Sequence, residues 1–235
     1  MGLSGGLDSS VTLALAKEAV GDKVKVLIMP DPEVTPEEDV EDALLYVKSL
    51  GVDYKIIDIS PIVKAYSELL PYDTLALGNL RARIRMSLLY YYANLEGRKV
   101  LGAGDKSELL IGYFTKYGDG AADFFPIAHL YKTQVRKLSE YLGIPSGISF
   151  KPSSPQLYPG HKLLDEIPID YDELDPVLVG LFERELSPNE ISEETGVPLK
   201  IVLDIKSRFE KTRHKRELPP RIIRLTSKKD SSLHD

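Results

Sequence analysis

The sequence contains no cysteine and no tryptophan. Without cysteine it has no disulfide, no thiolate metal site and no Cys nucleophile, which excludes a Cys-type glutaminase and a persulfide carrier. No apolar run approaches the roughly 20 residues that span a bilayer. No signal-peptide pattern precedes the first motif, and a cytoplasmic protein is expected. Positive charge is not in excess either: 30 Lys and Arg stand against 36 Asp and Glu, a formal net charge of −6. That balance argues against a nucleic-acid coat or a basic membrane binder. An acidic chain that takes polyphosphates must therefore gather its cations locally. The 235 residues suit one medium domain, or one domain with a helical appendage. The lack of Cys and Trp, the many charges and the 16 prolines fit a thermophile.

What is present alternates between strand-like and helix-like periods. Residues 11–20 read as a helix and residues 23–30 as a short β-branched strand. Thr35 and Glu38 form a T-x-x-E capping box with Pro36 at the first helical position, opening a helix that runs to about Leu50 and stops at Gly51. Residues 54–59 predict a second strand, and Pro61 opens a helix to about Leu70. Residues 79–95 have helical spacing, 98–102 a strand pattern, and 132–142 a helical pattern ending at Gly143. Alternation at these lengths predicts an α/β fold with a doubly wound, mostly parallel sheet flanked by helices. Ligands bind such sheets beyond the carboxyl ends of the strands. Residues 151–175 are rich in Pro, Ser, Gly and Asp and read as a loop, 174–212 as a C-terminal helical segment, and 226–235 as a disordered tail. The expected organisation is an α/β domain over 1–150, with a substrate loop and helical part of the same domain over 151–225.

The chemistry is concentrated at the start. Residues 2–10 read GLSGGLDSS, and a helix follows at once. Adjacent glycines after a serine let the backbone turn sharply, and the helix N-terminus adds partial positive charge. Together these make a polyphosphate cradle. Asp8 repels a phosphate unless Mg²⁺ sits between them, because magnesium prefers carboxylate plus phosphate oxygens. The plain alternative is a Gly-rich turn with solvated first-turn residues. The spacing is not that of a Walker A loop.

SGGLDSS resembles the pyrophosphate loop of the N-type ATP pyrophosphatases, which cleave ATP between the α and β phosphates and adenylate an oxygen. Within that group, residues 102–123, GAGDKSELLIGYFTKYGDGAAD, resemble the NAD synthetase signature. LYKTQVRKL at 130–138, KPSSPQL at 151–157, IDYDELD at 169–175 and HKR at 214–216 follow in the family's order. The resemblance thus covers essentially the whole chain. It implies a Rossmann-like ATP pyrophosphatase fold, and a ligase that adenylates deamido-NAD with ATP and Mg²⁺ and amidates it with ammonia. Asp8 and Glu108 match the family's two magnesium carboxylates, and Asp8 and Lys132 its catalytic positions. Gly2, Leu3, Ser4, Gly5, Gly6, Leu7, Asp8, Ser9, Ala103, Lys132 and Ser154 match ATP-binding positions. Arg83, Lys116, Asp123, His214 and Lys215 match deamido-NAD contacts. The resemblance also implies a homodimer, with no nucleic acid and no membrane as partner. Without cysteine, ammonia is the expected nitrogen donor, because the glutamine-dependent version carries a Cys-based amidase domain.

Three departures stand out. Ala103 replaces a threonine that contacts ATP. Leu163 and Leu164 replace an acidic pair, with Asp165 and Glu166 close enough to substitute. Only residues 1–3 precede the loop where relatives have a helix and a full strand, so a longer natural chain is expected. Two rival readings remain: another adenylating enzyme such as a tRNA-modifying one, and a helix-turn-helix regulator built on residues 186–210.

Overall fold

The computed structural model describes residues 1–152, 160, 164 and 166–218. Strand β1, Lys25–Ile28, pairs in parallel with β2, Asp53–Ile56, in the register Lys25 to Asp53 and Ile28 to Ile56. On its other edge β1 meets residues 1–3. Leu3 N donates to Leu27 O at 3.0 Å, Leu27 N donates to Met1 O at 2.9 Å, and Gly2 forms a parallel bridge with Leu27.

Side chains of β1 alternate between two cores, as a strand's period of two requires. Val26 and Ile28 pack into one apolar cluster with helix α1 (Leu7–Val20) and helix α2 (Glu37–Ser49). Leu27 and Met29 pack into another with α3 (Ser60–Ser67) and α4 (Thr74–Glu96). Helices cover both faces, which is the doubly wound α/β arrangement the periodicity predicts.

Downstream come α5 (Lys106–Ile111), α6 (Lys132–Tyr141) and the short α7 (Ser146–Ser149). Then follow α8 (Tyr171–Phe182), α9 (Pro188–Thr195), α10 (Leu199–Lys211) and α11 (Arg213–Arg216). A third core joins Ile111 of α5 to Leu174, Val177 and Leu178 of α8, Ile191 of α9 and Val202 and Ile205 of α10. None of the helices among the described residues is long and apolar enough to cross a membrane.

Several local expectations need correction. The Thr35 capping box does not form: Pro36 is itself the cap of α2, and Thr35 Oγ1 instead accepts Asp31 N–H at 3.1 Å. Residues 98–102 form no strand, only a parallel bridge from Leu101 to Phe124, because the Asp123 carboxylate takes the Val100 N–H that a ladder would use. The stretch 174–212 is three helices, broken after Phe182 and at Gly196, and α8 begins inside the segment read as loop. The tail 226–235 lies outside the described residues.

Candidate active site

The loop 4–6 leaves the sheet beside the carboxyl end of β1 and turns into α1. Gly5 has φ +81°, and a Cβ there would stand 2.1 Å from the Asp39 carbonyl oxygen of α2. Only glycine satisfies both demands. Ser9 Oγ accepts from Ser4 N at 3.2 Å and donates to Gly6 O at 3.1 Å, so the turn is braced from within. No side chain caps α1 at Gly6. Its first-turn N–H groups and dipole are therefore available to an anion.

Beside this loop four charged side chains converge. Lys132, the first residue of α6, places Nζ 2.6 Å from Asp8 Oδ2, 2.9 Å from Asp105 Oδ2 and 2.9 Å from Glu108 Oε1. Oxygens of the three carboxylates lie within 4.8 Å of one another. Burial opposes the Lys132 charge, but the three carboxylates outweigh it and hold the ammonium well above its ordinary pKa. Burial pushes Asp105 up to about 6 and Glu108 well above the carboxylate range, with the neighbouring carboxylates adding to the shift and Lys132 opposing it. With all three carboxylates ionised, the state that a bound cation would favour, the cluster and its one ammonium would carry −2. The Asp8 Oδ1 atom is buried with no hydrogen-bond partner. An all-oxygen donor set with that charge and an unfilled acceptor fits a hard divalent cation.

Helix α8 holds this cluster from behind. The buried Asp175 carboxylate accepts from Ser107 Oγ at 2.5 Å and from Thr133 N at 2.8 Å, and Ser107 Oγ accepts from Lys132 N at 3.0 Å. One carboxylate thus faces the first turns of both α5 and α6, where it is electrostatically favoured. The Tyr171 ring lies 5.0 Å from Lys132 Nζ.

A cleft of about 510 Å³ opens in front, lined by the loop 2–9, Asp8, Glu108, the 101–104 turn, and Arg85 and Met86 of α4. The model of the family described as NAD synthase matches residues 1–219.

The chain belongs to the NAD synthase family. The NH3-dependent NAD+ synthetase of Hyperthermus butylicus is 54% identical over 223 residues, covering 94% of this chain and 81% of that protein. Two solved structures share the fold at 34% identity. An NMN synthetase from Francisella tularensis has a TM-score of 0.81, covering 94% of this chain and 87% of its own. An NH3-dependent NAD synthetase from Campylobacter jejuni has 0.79, covering 94% and 88%.

The structure divides the residues expected from this family. Gly2, Leu3, Ser4, Gly6, Leu7, Asp8, Ser9, Ala103, Glu108 and Lys215 line the cleft; Gly5 and Lys132 are not part of its lining, and Lys132 meets it through Asp8 and Glu108. Arg83, Lys116 and His214 gather outside it: Arg83 Nε donates to Lys116 O at 3.3 Å, and Lys116 Nζ to His214 O at 2.5 Å. Lys215 Nζ donates to Gly112 O and Phe114 O. Asp123 is exposed and outside the cleft wall, its carboxylate on Val100 N at 2.7 Å. Ser154, Leu163 and Asp165 lie outside the described residues, whereas Glu166 lines the cleft. Sequence reasoning missed Asp105, Asp175 and Arg85. Asp105 carried a signal, since D-x-x-E at a helix start is a capping pattern, and its Oδ1 does accept from Glu108 N at 2.8 Å.

Proposed function

We propose that the protein is an NH3-dependent NAD synthetase: it adenylates the carboxylate of deamido-NAD with ATP and then amidates it with ammonia. What carries the reading is that an uncapped helix N-terminus behind a glycine turn opens into the same cleft as Asp8 and Glu108. The relatives' names point to the same reaction.

Nicotinate is a poor acyl donor. One carboxylate oxygen attacks the α-phosphorus of ATP, the bond to the β-phosphate oxygen breaks, and pyrophosphate leaves. Ammonia then attacks the acyl carbon, the carbonyl–oxygen bond breaks, AMP departs with that oxygen, and one proton is released. The loop 4–9 and the first turn of α1 hold the departing pyrophosphate through backbone N–H groups. Asp8 and Glu108, with Asp105 beside them, are the residues to hold Mg²⁺, which when bound neutralises phosphate charge. Lys132 is the cation we assign to the phosphates. Carboxylates surround its Nζ here, so it engages a phosphate by exchanging one of them. Positioning and electrostatics suffice, without a side-chain nucleophile.

Ammonia is the donor we propose, as the names of the NH3-dependent relatives suggest; these 235 residues hold no cysteine that could release it from glutamine. We assign Arg83, Lys116, Asp123, His214 and Lys215 to deamido-NAD, and place the enzyme in the cytoplasm. We also propose a homodimer, supported by exposed Tyr91 and Leu95 on α4, 64% and 66% accessible. Sedimentation at micromolar concentration tests it; a monomer there rejects it.

The functional test supplies deamido-NAD, ATP, Mg²⁺ and ammonium, with nicotinic acid mononucleotide and glutamine as alternative arms. NAD and AMP in equal amounts, from ammonium and not glutamine, is the expected result. Preference for the mononucleotide, or ADP in place of AMP, rejects the reading.

A further inference from the structure

Helix α4 carries arginines at 81, 83 and 85, and the structure gives each a different fate. Arg81 is buried and paired, with Nε 2.5 Å from Asp31 Oδ2 and Nη2 3.2 Å from Glu33 Oε2. Arg83, about 200° further round the helix, is exposed and outside the cleft. Arg85 is one turn above Arg81, half-buried, and lines the cleft. Its Nε donates to the Met29 carbonyl at 2.9 Å, just past the end of β1. Among the described residues no acceptor takes a hydrogen bond from Nη1 or Nη2. Asp31 and Asp119 act on the guanidinium only through space, and the Asp31 carboxylate is already engaged by Arg81. Burial holds its pKa below the ordinary arginine value, yet an arginine stays charged at neutral pH.

This is an anchored cation presenting an open fork. The Met29 carbonyl tethers the guanidinium at Nε, and Ala82, Met86 and Leu89 line the same cleft. A fixed guanidinium with two free edges suits bidentate contact with a phosphate or carboxylate.

We propose that Arg85 is a substrate-binding residue of the cleft, holding an oxyanion of the bound substrate through Nη1 and Nη2. The assignment rests on the reading of the cleft as the nucleotide site. The oxyanion belongs either to ATP or to the acid dinucleotide, and these are separable.

The experiment titrates ATP and deamido-NAD separately into the full chain and into Arg85→Gln by calorimetry, which needs no turnover. Loss of one ligand's affinity by about tenfold or more, with the other within twofold, supports the proposal and names the source of the anion. Unchanged affinity for both overturns it. So does an equal loss for both with a lowered melting temperature, which marks a packing role. A measurement on the unaltered protein covers a variant that fails to fold: labelling by an arginine-specific dicarbonyl, mapped by mass spectrometry. Labelling of Arg85 that one ligand suppresses supports the proposal. Absence of labelling, or labelling indifferent to both ligands, overturns it. Binding of neither ligand by the unaltered protein defeats the functional reading itself and removes the basis of this one.

Discussion

Lys132 Nζ lies 2.6 Å from Asp8 Oδ2, joining the first residue of α6 to the first turn of α1 across 124 residues of chain. The contact turns two helix starts into one site. Removing the ammonium leaves three carboxylates crowded without their cation. Lys132→Met is expected to lower kcat by about 10²–10³, the scale of losing one preorganised electrostatic group. Lys132→Arg should not rescue it, because the side chain is 1% exposed and a guanidinium overfills the space. Steady-state kinetics decide: a fully active Met variant rejects the role assigned to this lysine, and an active Arg variant rejects only the argument from its tight burial.

Gly5 and Asp39 make the second close joint. Gly5→Ala adds both a left-handed strain and a clash with the Asp39 carbonyl, so a loss of about 3 kcal/mol or more is expected. Gly97→Ala is the control: it sits in the left-handed region at φ +62° and ψ +38°, with nothing within 4 Å of a Cβ, and about 1–2 kcal/mol is expected. Chemical denaturation measures both, and equal losses contradict the packing argument.

Asp175 and Ser107 act on the site through the backbone of Lys132. Asp175→Asn and Ser107→Ala should each lower kcat about tenfold, and the double variant should be no worse than the worse single one. Rates that fall multiplicatively in the double variant mean the two do not work as one unit.

Tyr46 of α2 sits in the core shared with α1 and β1, and burial raises its hydroxyl pKa to about 12 from 10.0. The sign is fixed by linkage. Below pH 10 the folded and unfolded forms are both protonated; between 10 and 12 only the unfolded form ionises. Stability is therefore expected to fall by up to about 3 kcal/mol as pH rises through that window. Tyr46→Phe should lack this contribution to the decline. Denaturation curves at pH 9 and 11 make the comparison, and identical pH slopes in the two proteins rule out the shift.

The glycine turn singled out Asp8 from the residues themselves, because phosphate binding at a helix start leaves a local signature; Glu108 and Lys132 came from the resemblance to the NAD synthase family. Convergence over long sequence separations leaves none. Asp105 looked like a cap and is also a member of the cluster, whereas Asp175 reaches the site only because α8 folds back onto α5 and α6. On α4 the helical period alone could not say which arginine faces the cleft, since that depends on the Met29 carbonyl just past β1. The strand expected at 98–102 failed for a similar reason: a side chain, Asp123, competes for its backbone.

Central to the account is adenylation of the substrate carboxylate, and isotope transfer tests it most directly. Deamido-NAD labelled with ¹⁸O in the nicotinate carboxylate is turned over with ATP, Mg²⁺ and ammonium, and the products are weighed by mass spectrometry. Adenylation predicts that one labelled oxygen appears in AMP and none in pyrophosphate. Label in pyrophosphate or inorganic phosphate, or AMP without label, contradicts it.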